Sequence, residues 1–366
     1  MTAPLLTRVE LNRATLARQM LLERAADLAV PAAVERLAGM QAQEPKHPFV
    51  GLWTRVAGFS EDALRRALSD REVVRATLMR STLHLLSARD YAALRLALQP
   101  PPSVALRVLG TRAEGLDVDA VLSAARELLA ERPLTFDAIR AGLVERFPEV
   151  NDRALGYAVR TLLPLVMVPG GVERWGYPRV CEFALAEELL DEPLAPAAPE
   201  ALATRYLGAF GPASAADVQG WSGMGQMKAV LDAMRPRLAV FADERGRELF
   251  DLPDAPRPGA DAVAPVRYLP EFDNLVLAYD DRTRVIADEH RPLVTTKNLR
   301  VKATFLVDGV VAGTWTIAVK RRVATVALVP FGALSRRSLA ELTAEGEALA
   351  RFVEPAAAAH EVVVAS

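Results

Sequence analysis

The chain of 366 residues holds one cysteine, Cys181. A disulfide within the chain and a metal site built on paired cysteines are thereby excluded, and the composition suits a reducing compartment. Histidine is nearly as scarce: His47, His84, His290 and His360 stand far apart, without the HxxxH or HxH spacing that serves zinc. The chain also lacks a P-loop, a GxGxxG turn after a strand and a GxSxG elbow, so nucleotide-driven work and serine hydrolysis lose support. No window reaches the roughly 18 uninterrupted apolar residues of a membrane helix. The opening MTAPLLTRVELNRATLARQ carries charges where a signal peptide would place an apolar core. A cytoplasmic protein is therefore expected. An excess of one charge is missing too: 44 basic against 46 acidic residues give a net charge of −2, so any affinity for nucleic acid must come from local patches.

What is present is an ordinary globular composition, 51% hydrophobic and 25% charged, on a chain long enough for several packed modules. One pattern occurs three times: two or three short helices, then two strands joined by a turn, which is the pattern of a winged helix-turn-helix. The middle copy reads as helices over 120–131, 136–146 and 151–163, with Thr135 and Asn151 as caps. Its wing is LVMVPGGVERWGYPRVCEFAL, with Pro169-Gly170-Gly171 as the tip and Cys181 packed in a strand. The third copy follows the linker LDEPLAPAAPE, with helices over 201–210, 214–221 and 224–234 and the hairpin LAVFADERGRELFDL. The first has helices over 13–23, 31–40, 49–56 and 61–68 before the hairpin REVVRATLMRSTLHLLS. Period-two strands then occupy 266–279 and 301–331, an amphipathic helix spans 335–353, and the Ala-rich tail from Pro355 is expected to fray. The expected fold is α+β: three tandem winged helix-turn-helix units over 1–115, 116–192 and 193–258 and a β-rich module over 259–366, together forming a concave DNA-binding surface. Trp175, Trp221 and Trp315 fall in segments expected to pack.

The unusual local feature is Gln41-Ala42-Gln43, followed by Glu44-Pro45-Lys46-His47-Pro48. On a helix the two amides would diverge by about 200°, whereas extended backbone puts them on one face. Pro45 and Pro48 bias the residues before them away from the helical region, so the preceding helix should end around the glutamines. On residue type alone the pair is a solvated helix end, since exposed glutamine is common.

That motif, with LMRSTLHLLSARD over 78–90 and LPEFDNLVLAYDDRTRVI over 269–286, resembles the AlkZ/YcaQ family of winged-helix DNA glycosylases through most of the chain. The resemblance implies that Gln41 and Gln43 are the catalytic pair. It also implies kinship with the Gln-x-Gln branch, which is associated with bulky adducts and crosslinks from DNA-alkylating antibiotics. The chemistry is coherent. An N7- or N3-alkylated purine is already a good leaving group, and its departure leaves an oxocarbenium-like sugar that neutral water attacks. An amide is too weak a base to take that proton in the ground state, but it orients water and stabilises developing cationic charge in a desolvated cleft. Glu44 and Asp273 are the carboxylates that would supply a base instead.

For DNA contact the hairpin residues Arg75, Arg80, Ser81, Thr82 and His84 are the first candidates, because short donors and guanidinium groups suit phosphate oxygens. A second set comes from 291–322, where seven basic residues, Lys297, Arg300, Lys302 and Arg321 among them, face one acid, Asp308. Asp273, Asn274 and Arg282 are candidates for structural support of the site, as a hydrogen-bonded brace between modules. The expected partner is double-stranded DNA containing alkylated purines, bound by a monomer on the nucleoid without metal or cofactor. The competing reading is a winged-helix transcription regulator or architectural DNA binder, since fold does not fix function.

Overall fold

The computed structural model describes residues 3–99, 102–296, 298 and 300–365. Strand β1 (Leu5–Leu6) leads into helix α1 (Arg8–Arg18), which begins where it does because Thr7 and Glu10 cap each other's backbone amides. The sequence reading starts this helix at Arg13 and passes over that cap. Helix α2 (Val30–Arg36) ends before its apolar pattern does. Ala38 (φ 55°) and Gly39 (φ 83°) turn the chain left-handed there, and a Cβ on Gly39 would lie 2.8 Å from Leu86 Cδ1. The turn delivers β2 (Met40–Gln41), so Gln41 sits on a strand, the helix has stopped four residues short of it, and Gln43 follows in a bend. Helices α3 (Lys46–Trp53) and α4 (Glu61–Ser69), the hairpin strands β3 (Val73–Thr77) and β4 (Leu83–Ser87), and helix α5 (Ala88–Leu94) follow.

The second copy of the pattern comprises helix Val118–Glu131, β5 (Leu134–Thr135), helices Phe136–Arg146 and Asp152–Leu162 with Thr135 and Asn151 as caps, and strands β6 (Leu165–Met167) and β7 (Glu182–Leu185). The segment Pro169-Gly170-Gly171 is not a tight hairpin tip. An excursion from 168 to 181 lies between the strands, and the Gly170 amide donates to the Gly176 carbonyl at 2.9 Å inside it. Cys181 is buried just ahead of β7. The third copy comprises helices Pro199–Phe210, Ala215–Ser222 and Met227–Met234 and strands β8 (Ala239–Asp243) and β9 (Glu248–Asp251). The remainder contributes β10 (Arg267–Leu269), β11 (Thr304–Val307), β12 (Val310–Lys320), β13 (Val323–Pro330), helix Arg336–Val353 and β14 (Ala359–Val364). The tail expected to fray is thus a strand. The long helix returns the chain beside β13, and β-branched Val362 to Val364 pair in parallel with Val326 to Leu328.

These strands form three sheets, ordered β1-β8-β9, β2-β4-β3-β6-β7-β5 and β10-β11-β12-β13-β14. In the six-stranded sheet the β3–β4 hairpin is joined to strands β6 and β7 through the Ala76–Val166 pairing of β3 with β6. Both faces of β3 and β4 are covered. Val74, Ala76 and Leu86 enter a core with Tyr206, Trp221 and Leu275, while Val73 and Leu85 enter another with Met40 and Phe49. A hairpin expected to contact DNA as a wing therefore has an apolar core on each face.

Candidate active site

Gln41 pairs in register with His84 of β4, and the Ala42 amide continues the ladder to the Leu83 carbonyl at 2.7 Å. The Gln41 Oε1 accepts from Arg80 at 3.1 Å, and the Gln43 Oε1 accepts from the Leu83 amide at 3.1 Å. Both donors lie on the β3–β4 hairpin. Because arginine and a backbone amide only donate, these bonds fix each carboxamide's orientation, and each oxygen retains one free lone pair. The motif's backbone is held as well. Arg75 Nε donates to the Ala42 carbonyl at 2.8 Å and another of its nitrogens to the Gln43 carbonyl at 2.9 Å, while its guanidinium lies 5.1 Å from the Tyr177 ring centroid.

The two amides open on different depressions. Gln41 is 7% exposed and lines a cavity of only about 10 Å³ with Gly39, Met40, His47, Arg55, Asp273 and Asn274. Gln43 is half-buried and borders a groove of about 430 Å³ shared with Glu44, Arg75, Thr135, Tyr177 and Cys181. In the small cavity Asn274 donates to the Gly39 carbonyl at 3.1 Å, and Asp273 holds Arg55 through two bonds at 2.8 and 2.9 Å. Asp273 also accepts from the Leu275 amide at 3.0 Å, capping the short helix Asn274–Leu277. The Asp273 carboxylate is thus engaged by a buried ion pair and a helix cap. Burial pushes His47 down to about 4, against the opposing charge of Glu271, so its imidazole is neutral at pH 7.

The structure corrects the expected placement of several hairpin residues. Arg75 lies inside, 4% exposed, with its donors on the motif's carbonyls rather than on solvent. His84 is fully buried, with Nδ1 3.0 Å from the Thr82 carbonyl, and burial followed by the nearby Arg80 charge lowers it to about 3. Alternation with Leu83 and Leu85 does put His84 on the other face of β4, but that face is core as well. Arg80 is half-buried between Gln41 and the Trp221 carbonyl. Thr82 turns its hydroxyl to the Met79 carbonyl at 3.1 Å, and Ser81 is exposed at the tip.

Of the basic stretch, Lys297 lies outside the described residues. Arg300 and Lys302 are exposed, Arg300 bonded to Glu271 at 2.8 Å, and Arg321 is exposed on the β12–β13 turn. Arg282 is half-buried, donates to the Tyr279 carbonyl at 3.2 Å and stands close enough to Arg80 for their charges to oppose each other. Trp221 and Trp315 are core residues, whereas Trp175 is half-buried with the Arg174 guanidinium 4.2 Å from its ring centroid. Sequence reasoning missed Arg55 and Gln19, both buried beside the Gln41 cavity. An arginine inside the apolar run Val50 to Val56 is the signal that could have revealed Arg55.

Three comparisons bear on identity. The family model described as "DNA glycosylase AlkZ-like" matches residues 34–352. A curated relative, "Interstrand DNA cross-link repair glycosylase" of Streptomyces sahachiroi, is 28% identical over 320 residues, covering 80% of this chain and 83% of the relative. The solved structure of Streptomyces sahachiroi DNA glycosylase AlkZ matches with a TM-score of 0.81 at 21% identity, over 100% of both chains, a likeness of fold. Among the described residues no helix is long and apolar enough to cross a membrane. With most of its length inside one family model, the chain belongs to the AlkZ-like family of DNA glycosylases.

Proposed function

We propose that the chain is a monofunctional glycosylase that hydrolyses the N-glycosidic bond of alkylated purines in double-stranded DNA, N7-alkylguanine first among them, with Gln41 and Gln43 as its catalytic amides. Bulky adducts and interstrand cross-links fall within its range by analogy with the relative's name. Family membership sets the transcription-regulator alternative aside. The observation that carries the residue assignment is the way the motif is held. A buried guanidinium, Arg75, binds two successive carbonyls of the motif, and the adjoining hairpin supplies a donor to each amide oxygen. A solvated segment would not need that support.

In this reading the departing base supplies the driving force and the protein supplies order. Gln43, half-buried at the rim of the open groove, places water with its remaining lone pair. Gln41, nearly enclosed and facing the small cavity rather than the groove, contributes a fixed dipole to the field at the sugar as its positive charge develops. Neither step requires a metal, a cofactor or a second subunit, and the protein acts as a monomer gripping DNA with the wings of its tandem units.

The test is excision of N7-methylguanine from a duplex with a single lesion, under single turnover, followed by alkaline cleavage of the abasic site. Gln41→Ala and Gln43→Ala are each expected to slow excision at least tenfold, about 1.4 kcal/mol of barrier, with melting little changed. Full activity in both variants would refute the assignment.

A further inference from the structure

We propose that Arg80 is a positioning residue for the glycosylase reaction, locking the orientation of the Gln41 carboxamide and tying it to the tip of the β3–β4 hairpin; the proposal rests on the catalytic reading of Gln41. The guanidinium joins three parts of the fold. One nitrogen donates to Gln41 Oε1 at 3.1 Å on β2, another donates to the Trp221 carbonyl, and the backbone of Arg80 belongs to the hairpin turn. Trp221 lies in the last turn of helix Ala215–Ser222, where carbonyls lack helical partners and a cation is favoured. Arg80 therefore has a reason to stay where it is that does not involve DNA.

The backbone supports this. Arg80 (φ 54°) and Ser81 (φ 58°) are consecutive non-glycine residues in the left-handed region, a strained conformation that persists only when the surroundings impose it. Gly223, the left-handed cap of helix Ala215–Ser222, passes so close that a Cβ on it would sit 3.4 Å from Arg80 Cα and N. The turn is thus held at its side chain and at its backbone, while its outermost residue, Ser81, remains exposed.

The charge arrangement gives the lock its chemical consequence. Burial, with Arg282 nearby, lowers Arg80 to about 10, so it stays a cation at pH 7. The bonds made by its guanidinium go to two neutral oxygens. With a donor-only partner at its oxygen, the Gln41 carboxamide is held in one of its two orientations, with a lone pair of that oxygen left for the site. A flipped amide would set NH2 against guanidinium. Displacement of the tip around Ser81 would be felt at Gln41 through a single side chain.

The experiment measures single-turnover excision at saturating protein, affinity for an undamaged duplex at several salt concentrations, and melting, for Arg80→Met, Arg80→Lys, Gln41→Ala and the Arg80→Met/Gln41→Ala double variant. The proposal expects Arg80→Met to slow saturated excision at least tenfold while duplex affinity changes less than threefold and its salt dependence stays the same. Arg80→Lys, which keeps the charge but loses the forked geometry, should recover part of the rate. In the double variant the Arg80 change should add nothing to Gln41→Ala, because the residue acts through that amide. An unchanged saturated rate, multiplicative losses in the double variant, or a loss confined to binding with a shallower salt dependence each overturn the proposal, the last by making Arg80 a phosphate contact. If Arg80→Met melts too low to assay, Arg80→Lys alone and combined with Gln41→Ala decides on the same criteria. Full activity in Gln41→Ala would instead remove the reading of Gln41, whereas an inactive Gln41→Ala beside a fully active Arg80→Met removes only the role of Arg80.

Discussion

Asp273 shows how placement settles chemistry at the scale of a single residue. In sequence it is an acid beside an asparagine in a segment shared with the family, and a general base is a natural suspicion. In the fold both of its oxygens are bonded to Arg55 and one also to the Leu275 amide, with the ion pair almost wholly enclosed. Removing one partner of such a pair leaves an uncompensated buried charge and costs about 3–5 kcal/mol, more than an exposed pair is worth. Asp273→Asn is therefore expected to lower stability in urea unfolding by about that much. Excision per folded molecule should stay within threefold of the parent. A variant with normal stability and abolished excision would restore Asp273 as a base. The same reasoning applies to the burial of Arg75 and His84. Alternation along β3 and β4 was legible, but alternation tells only that neighbours take opposite faces, and here both faces meet cores.

At the scale of elements, legibility followed local chemistry. Thr135, Asn151 and Ser214 cap helices whose starts were readable, because each side chain satisfies a first-turn amide in its own neighbourhood. The end of α2 was not readable, since Leu37 and Ala38 continue its apolar pattern and Ala38 takes a left-handed conformation that its residue type does not announce. That misreading carried Gln41 from a strand, and Gln43 from the bend after it, onto a helix end. The tail was missed for a different reason: strand β14 exists only because β13 offers it an edge, a partner distant in sequence. Deleting 359–366 should expose that edge and release Val362 from the core it packs against. Full burial of a valine is worth about 1.5–3 kcal/mol and Val362 is half-buried, so a modest fall in melting temperature and more self-association in size-exclusion chromatography are expected. Unchanged melting would mean that the strand contributes no stability.

For the molecule as a whole the puzzle is charge. A protein with net charge −2 offers DNA no global attraction, so its affinity must rest on a few exposed cations set among acids. Arg300 is already bonded to Glu271, which blunts its pull on phosphate. Lys302 and Arg321 are exposed, the latter on a hairpin turn in the C-terminal sheet, and are the better candidates. A cation that neutralises one phosphate contributes about 0.9 to the slope of log affinity against log salt. Lys302→Ala and Arg321→Ala should therefore each make that slope shallower by roughly 0.9 on an undamaged duplex, measured by fluorescence anisotropy across a salt series. Weaker binding should appear alike on every DNA sequence, because phosphate contacts carry no base information. Saturated excision rates should not move, since neither residue lies among those lining the Gln41 or Gln43 depressions. An unchanged slope in both variants would take the C-terminal sheet out of the DNA-binding surface and leave that work to the helical units and their wings.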